Sequence, residues 1–183
     1  MKKGAFGAFF CLHSGALQSI IVDVSGEKVA DSVTKWCFCM YYGEYSHSID
    51  PKGRTIVPSK LREALGDHFV ITKGMDGCLM AYDMEAWEEF AARLKELPTM
   101  TNKNARQFAR HFGGSATDVE CDSQGRVLIP ANLRNYAGMS KDAVFLGLGD
   151  RIEIWSKDRY ETDATGEDMD EIAAALEAVG ISI

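Results

Sequence analysis

The sequence predicts an α+β protein built from two copies of a small β-β-α-β-β module joined by helices. Three observations predict it. The unit DPKGRTIVPSKLR at 50–62 recurs as DSQGRVLIPANLR at 122–134. Short apolar runs bounded by turn residues flank each unit, as strands require. Between the copies, apolar residues fall at helical spacing.

The repeat is the strongest of the three, because an internal repeat fixes how the rest of the chain is read. At an offset of 72 positions, Asp50, Gly53, Arg54, Pro58, Leu61, Arg62 and Gly66 match Asp122, Gly125, Arg126, Pro130, Leu133, Arg134 and Gly138. The likeness resumes after an insertion: Val70–Gly74 answers Val144–Gly147, and Leu79–Tyr82 answers Ile152–Trp155. Two copies of a module of roughly fifty residues are too few for a solenoid.

Each copy reads the same way. Strand residues at 45–49 lead into the turn Asp50-Pro51-Lys52-Gly53. Aspartate suits the first position of a type I turn, because its carboxylate accepts from backbone N–H groups ahead, and proline suits the second, because its φ is already set. Gly53 suits a left-handed residue that rejoins the strand at 55–57. Asp122-Ser-Gln-Gly125 keeps the aspartate and the glycine, between strands at 117–121 and 127–129. Each unit is therefore expected to open as a tight hairpin. Pro58 and Pro130 fit the first position of a helix, predicting short helices over 59–65 and 131–137 that end near Gly66 and Gly138. Strands at 69–73 and 78–82, then 143–147 and 151–155, close each copy, with turns at Gly74–Gly77 and Gly147–Asp150.

Trp87, Phe90, Ala91, Leu94 and Leu97 predict one linking helix stopped by Pro98. Ala105, Phe108, Ala109 and Phe112 predict a second, stopped by Gly113-Gly114, with Arg106 and Arg110 on one solvated face. Met169, Ile172, Ala173, Leu176 and Val179 form the stripe of an amphipathic tail helix, with Thr165 as its cap.

The chain of 183 residues is 46% hydrophobic and 26% charged, the composition of a globular protein. No apolar run reaches the ~18 residues of a membrane span. Residues 1–22 make a poor signal peptide, since Gly4, Gly7, His13, Ser14, Gly15 and Gln18 interrupt their apolar run. The five cysteines, Cys11, Cys37, Cys39, Cys78 and Cys121, are odd in number and scattered. That suits a reducing, cytosolic setting. Cys37-Phe-Cys39 finds no second pair or nearby histidine to complete a zinc set.

The net charge of −7 opposes nucleic acid as a partner, but its distribution does not. Residues 156–183 hold two basic and eight acidic side chains, so most of the excess sits in the tail. Within 50–62 the balance reverses: Lys52, Arg54, Lys60 and Arg62 stand against Asp50 alone.

Catalysis finds no support. His13, His47, His68 and His111 are isolated, no P-loop is present, and Gly147-Leu-Gly149 lacks the third glycine of a dinucleotide fingerprint. No cofactor or metal is expected. The basic turn is different. Arg54 and Arg126 open the outgoing strand directly after a tight turn. A two-stranded ribbon fits the major groove, and arginine can bond guanine O6 and N7 together. Lys52 at the apex could reach a phosphate, and Lys60 adds charge nearby. The plain alternative is a solvated turn with a surface ion pair, Asp50 to Arg54 and Asp122 to Arg126. Recurrence of Asp, Gly and Arg in two diverged copies keeps the binding reading level with it. Leu61 and Leu133 are core candidates. Arg62 and Arg134 stand between contacting phosphates and holding the hairpin.

On these residues the chain resembles the bacterial MraZ family. The matching stretches are GEYSHSIDPKGRTIVPSKLR, GCLMAYDMEAWEEF, ARQFARHFGGSA, DSQGRVLIPANLR and DRIEIWSKDRY, covering 43 to about 160, with a familiar acidic tail ending LEAVGISI. The resemblance implies two SpoVT/AbrB-like, swapped-hairpin β modules, at 44–91 and 115–159, with linking helices at 92–114 and a tail at 160–183. It implies a ring-shaped homo-oligomer in the cytoplasm, on the nucleoid. It implies a transcriptional regulator that binds double-stranded DNA at direct repeats in the promoter of the division and cell-wall gene cluster. The family's Asp-x-x-x-Arg signature falls on Asp50 with Arg54 and on Asp122 with Arg126, which carries the DNA-contacting role to both arginines, with Lys52 beside the first. Residues 1–39 match none of these stretches; the expected native start is Met40, and the alternative is a real extension that covers or regulates the DNA face. A second class of function, an Arg-faced ring that binds an acidic protein, is separable from the first by the salt dependence of DNA binding.

Overall fold

The computed structural model describes residues 41–164 and 169–181. The expectations for 1–39, including Cys37-Phe-Cys39 and His13, for Met40 and for the Thr165 cap lie outside the described residues. The first copy forms β1 (Tyr41–Ser48), β2 (Arg54–Ile56), α1 (Ser59–Leu65), β3 (His68–Lys73) and β4 (Leu79–Asp83). Linking helices α2 (Met84–Glu96) and α3 (Lys103–Phe112) follow. The second copy forms β5 (Thr117–Glu120), β6 (Arg126–Leu128), α4 (Ala131–Ala137), β7 (Asp142–Gly149) and β8 (Ile152–Ser156). Helices α5 (Lys157–Ala164) and α6 (Met169–Ala178) end the chain. The architecture is α+β, as the sequence predicts.

The strand partners are not those of two separate hairpins. Between β1 and β2 the only bridge is Ile49 to Thr55. Beyond it, each arm pairs with the other copy. β1 runs antiparallel to β7, from Tyr41 opposite Gly149 to Ser48 opposite Asp142. β5 pairs with β3, and β2 with β6. Strand length explains the choice. β1 has eight residues and β2 only three, so β2 cannot satisfy the backbone of β1, whereas β7 also has eight. The result is one antiparallel six-stranded sheet in the order β1-β7-β8-β4-β3-β5, and a separate ribbon of β2 and β6.

The two copies are related by a pseudo-twofold. β4 meets β8 with Leu79 opposite Ile154, Met80 opposite Glu153 and Ala81 opposite Ile152. In the ribbon, Arg54 faces Leu128, Thr55 faces Val127 and Ile56 faces Arg126. Each set is centred on one pair of equivalent positions. A single core joins both copies: Val57, Leu61 and Leu65 pack with Val127, Ile129, Leu133 and Ala137, all 2% exposed or less. Burial of that apolar surface drives the union, because neither copy alone has enough of it to support a core.

Pro58 and Pro130 sit one position ahead of their helices as N-caps, with ψ 132° and 144°, rather than at the first helical residue. α2 starts on Asp83, whose Oδ1 accepts the Ala86 N–H at 2.8 Å. Its inner face joins Phe90 to Tyr82 in a stacked pair, ring centroids 5.5 Å apart, and to Phe112 of α3 edge-on at 5.4 Å. Arg106 is more than a solvated residue. Its Nη1 donates to the carbonyls of Thr99 (2.9 Å) and Met100 (3.2 Å), fixing the turn between α2 and α3. α5 is the one described helix with no sequence signal, since it carries no apolar stripe. Arg159 on it donates to the carbonyls of Gly77 and Tyr136 at 3.2 and 3.1 Å. Among the described residues, no helix is long and apolar enough to cross a membrane.

Candidate nucleic-acid interface

The two Asp-x-x-Gly turns are built alike, atom by atom. In the first, Oδ1 of Asp50 accepts the backbone N–H groups of Lys52 and Arg54, both at 2.9 Å. In the second, Oδ1 of Asp122 accepts those of Gln124 (2.9 Å) and Arg126 (3.0 Å). The carbonyls of Asp50 and Asp122 each accept the N–H of the turn glycine at 2.8 Å. Gly53 and Gly125 have φ +85° and +72°, a region closed to most L-residues without strain. These are the duties that the sequence assigned to Asp50, Gly53, Asp122 and Gly125.

The other carboxylate oxygen holds the arginine. Oδ2 of Asp50 accepts from Nε of Arg54 at 2.8 Å and lies 2.7 Å from its Nη2. Arg126 repeats both distances on Oδ2 of Asp122. Hydrogen bonding holds both carboxyls below the ordinary aspartate value of 3.8: Asp50 through the Arg54 N–H first and its guanidinium next, Asp122 down to about 2 through the Arg126 guanidinium first. The ion pair that sequence reading set against base recognition is thus present. It does not use up the arginine. A guanidinium has five N–H donors, and the aspartate engages the edge formed by Nε and one side of Nη2. Both Nη1 hydrogens and the outer Nη2 hydrogen remain, which is the fork that a guanine O6/N7 edge accepts. The aspartate aims that fork, so less rotamer freedom is lost on binding.

Arg62 and Arg134 each lie over the turn of the other copy. A Cβ built on Gly53 would run into the guanidinium of Arg134, and one on Gly125 into that of Arg62. Both glycines are buried beneath these arginines. Backbone bonds repeat the exchange: Val57 N–H donates to the Gly125 carbonyl at 2.9 Å, and Ile129 N–H to that of Gly53 at 3.0 Å. Nε of Arg134 also donates to the Ile129 carbonyl at 3.0 Å, while Nε of Arg62 lies 4.0 Å from Oδ1 of Asp67.

The ribbon thus has two faces. Thr55 and Val127 point into the core at 1% and 0% exposure. Arg54, Ile56, Arg126 and Leu128 point outward, as the period-2 alternation of a strand requires. Lys52 at the first apex and Lys60 on α1 are exposed. The second apex carries Gln124, so the two turns differ in charge. An open cleft of about 360 Å³ is lined by Ile56, Lys60 and Arg62 together with Gln124 of the other copy. Sequence reading missed Ile56 and Leu128 as outward-facing residues. The signal was there in the alternation Arg54-Thr55-Ile56-Val57, where the buried Val57 sets the phase.

A family model described as "MraZ protein, putative antitoxin-like" matches twice, at residues 40–111 and 112–179, one match to each copy. The protein named Transcriptional regulator MraZ from Lachnoclostridium phytofermentans is 54% identical over 143 residues, 78% of this chain and 99% of the relative. Proteins of the same name from Acetivibrio thermocellus and Clostridium beijerinckii are 49% and 52% identical, each over 78% of this chain and 100% of theirs. Among solved structures, the solution structure of PHS018 from Pyrococcus horikoshii aligns at a TM-score of 0.27 and 17% identity, over 62% of this chain and 87% of that one, too loose a fit to bear on the fold.

Proposed function

This chain belongs to the MraZ family, and on that footing we propose that it is a sequence-specific DNA-binding transcriptional regulator and not an enzyme. The observation that carries the proposal is the pair of outward arginines on one ribbon, each aimed by its own aspartate. A two-stranded ribbon is narrow enough for the major groove. In this reading Arg54 and Arg126 each take a guanine edge. Lys52 and Lys60 meet phosphates. Arg62 and Arg134 keep the two turns in register across the copies, with any phosphate contact secondary. The two SpoVT/AbrB-like units, 44–91 and 115–159, exchange their first arms within one chain and so act as one reading head.

A homo-oligomeric ring would repeat this head at regular intervals. Such a ring favours direct repeats spaced near one helical turn, ~10 base pairs, so that successive heads meet the same face of the duplex. The promoter of the division and cell-wall cluster is the expected target, which puts the protein in the cytoplasm on the nucleoid. Light scattering tests the assembly: particles larger than a dimer support the ring, and a folded monomer at micromolar concentration overturns it.

The test of DNA over an acidic protein partner is a salt titration on the duplex upstream of the protein's own coding sequence. Neutralised phosphates make log affinity fall linearly with log salt, with a slope near −0.9 per phosphate contacted. The proposal expects that slope, and tighter binding to this duplex than to a scrambled one. A salt-independent, sequence-independent result contradicts it.

A further inference from the structure

Arginine alone reads guanine, yet half of the outer ribbon face is aliphatic. Ile56 and Leu128 are 45% and 53% exposed, among the more exposed large apolar residues described. They occupy equivalent positions in the two copies, two residues after the signature arginine. Across the ribbon Arg54 is opposite Leu128 and Arg126 is opposite Ile56. Directly opposed side chains stand about 5 Å apart at Cβ, and stacked bases about 3.4 Å apart along each strand. A guanidinium on one base edge therefore puts its aliphatic partner over a neighbouring base pair.

In the major groove only thymine offers an apolar group, its 5-methyl. An aliphatic side chain there would bury that methyl, and would leave the donor or acceptor of any other base without a partner. A solvated turn has no use for two such residues; a strand facing water is ordinarily polar at those positions.

We propose that Ile56 and Leu128 are specificity-determining residues that contact thymine 5-methyl groups, so that each arm of the ribbon reads a guanine together with an adjacent thymine. The inference rests on the ribbon being the DNA-reading surface. With Arg54 and Arg126 it makes four recognition points per chain, two polar and two apolar, related by the pseudo-twofold. Ile56 also borders the cleft beside Lys60 and Arg62, which leaves room for a methyl and its backbone to approach.

The test removes the methyl and the side chain separately and together. The duplex upstream of the protein's own coding sequence is amplified with dUTP in place of dTTP, which deletes every thymine methyl and keeps the base-pairing code. Wild-type protein is expected to bind the uracil duplex about fourfold more weakly for each methyl contacted, the factor for one CH2 left in water. Ile56→Ala with Leu128→Ala is expected to weaken binding to the thymine duplex and to bind thymine and uracil duplexes equally. The milder Ile56→Val with Leu128→Val is expected to retain part of the discrimination. If the Ala variant loses the same factor on uracil DNA as wild type, the methyls are sensed elsewhere and the inference is overturned. It is overturned too if light scattering shows that the Ala variant changes subunit number, because the aliphatics would then lie between copies. Arg54→Ala run in parallel separates the two layers: unchanged affinity there defeats the ribbon reading itself, whereas lost promoter preference with an additive Ile56/Leu128 result defeats only the thymine contact.

Discussion

Thr55 is 1% exposed at the centre of the ribbon, and its Oγ1 meets no donor or acceptor among the described residues. Its pseudo-symmetric counterpart, paired directly opposite, is Val127, 0% exposed. Valine is nearly isosteric with threonine, and the fold already accepts it in the same environment. Thr55→Val therefore replaces a buried, unsatisfied hydroxyl by a methyl without changing volume. Leaving such a group without a partner costs about 1–3 kcal/mol. Relaxation of the surrounding structure recovers some of this, so the expected gain is about 1–2 kcal/mol. For a chain of this length that raises the melting temperature by roughly 2–8 °C. The assay is urea unfolding at fixed protomer concentration, since assembly would make stability concentration-dependent. The midpoint should rise with an unchanged m-value. The reverse change, Val127→Thr, should cost about 1–3 kcal/mol. A Thr55→Val protein less stable than wild type by 1 kcal/mol or more would refute the reasoning, because the hydroxyl would then be satisfied and the ribbon's inner face would not be what it is described to be.

Gly53→Ala and Gly125→Ala should each destabilise by about 1–3 kcal/mol in the same assay, since both positions have positive φ and both lie beneath an arginine; adding Arg134→Ala should relieve part of the Gly53→Ala cost. Asp122 is ionised at about 2 in the folded chain and at its ordinary 3.8 when unfolded. A depressed carboxyl contributes stability that is present above 3.8 and lost as pH falls toward 2, so unfolding free energies measured down that window should decline less for Asp122→Asn than for wild type. Lys52→Ala should weaken binding to promoter and scrambled DNA alike and make the salt slope shallower by about 1, as removal of a phosphate contact does; a loss confined to promoter DNA would contradict that role.

Local signals were legible wherever a short stretch determines its own structure. The turn at Asp50–Gly53, the helices at 59–65 and 131–137 and the α2 stripe from Trp87 to Leu94 all follow from turn chemistry and periodicity over a few residues. Partner choice was not legible, because a strand's own pattern does not name its neighbour. Tyr45 to Ile49 reads as half of a hairpin whether it pairs with 55–57 or with β7. Only the eight-residue match between β1 and β7 decides it, and that length depends on Tyr41 to Glu44 joining the strand. The reach of Arg62 and Arg134 across the copies was hidden for the same reason. The aspartate beside each arginine was readable as a turn former, but the hold of its second oxygen on that arginine exists only once the turn is folded.

In the proposed function the aspartate-held arginines of the ribbon read DNA sequence. The most direct measurement compares wild type and Arg54→Ala on the native upstream duplex and on a scrambled duplex at two salt concentrations, with light scattering and a thermal melt alongside. One bidentate arginine–guanine contact carries about 1–3 kcal/mol of discrimination, and an assembly that engages several repeats multiplies the loss. Arg54→Ala is expected to stay folded, to keep its subunit number, and no longer to prefer the native duplex. An Arg54→Ala protein that retains the wild-type preference would contradict it and leave Arg54 as a strut of the turn.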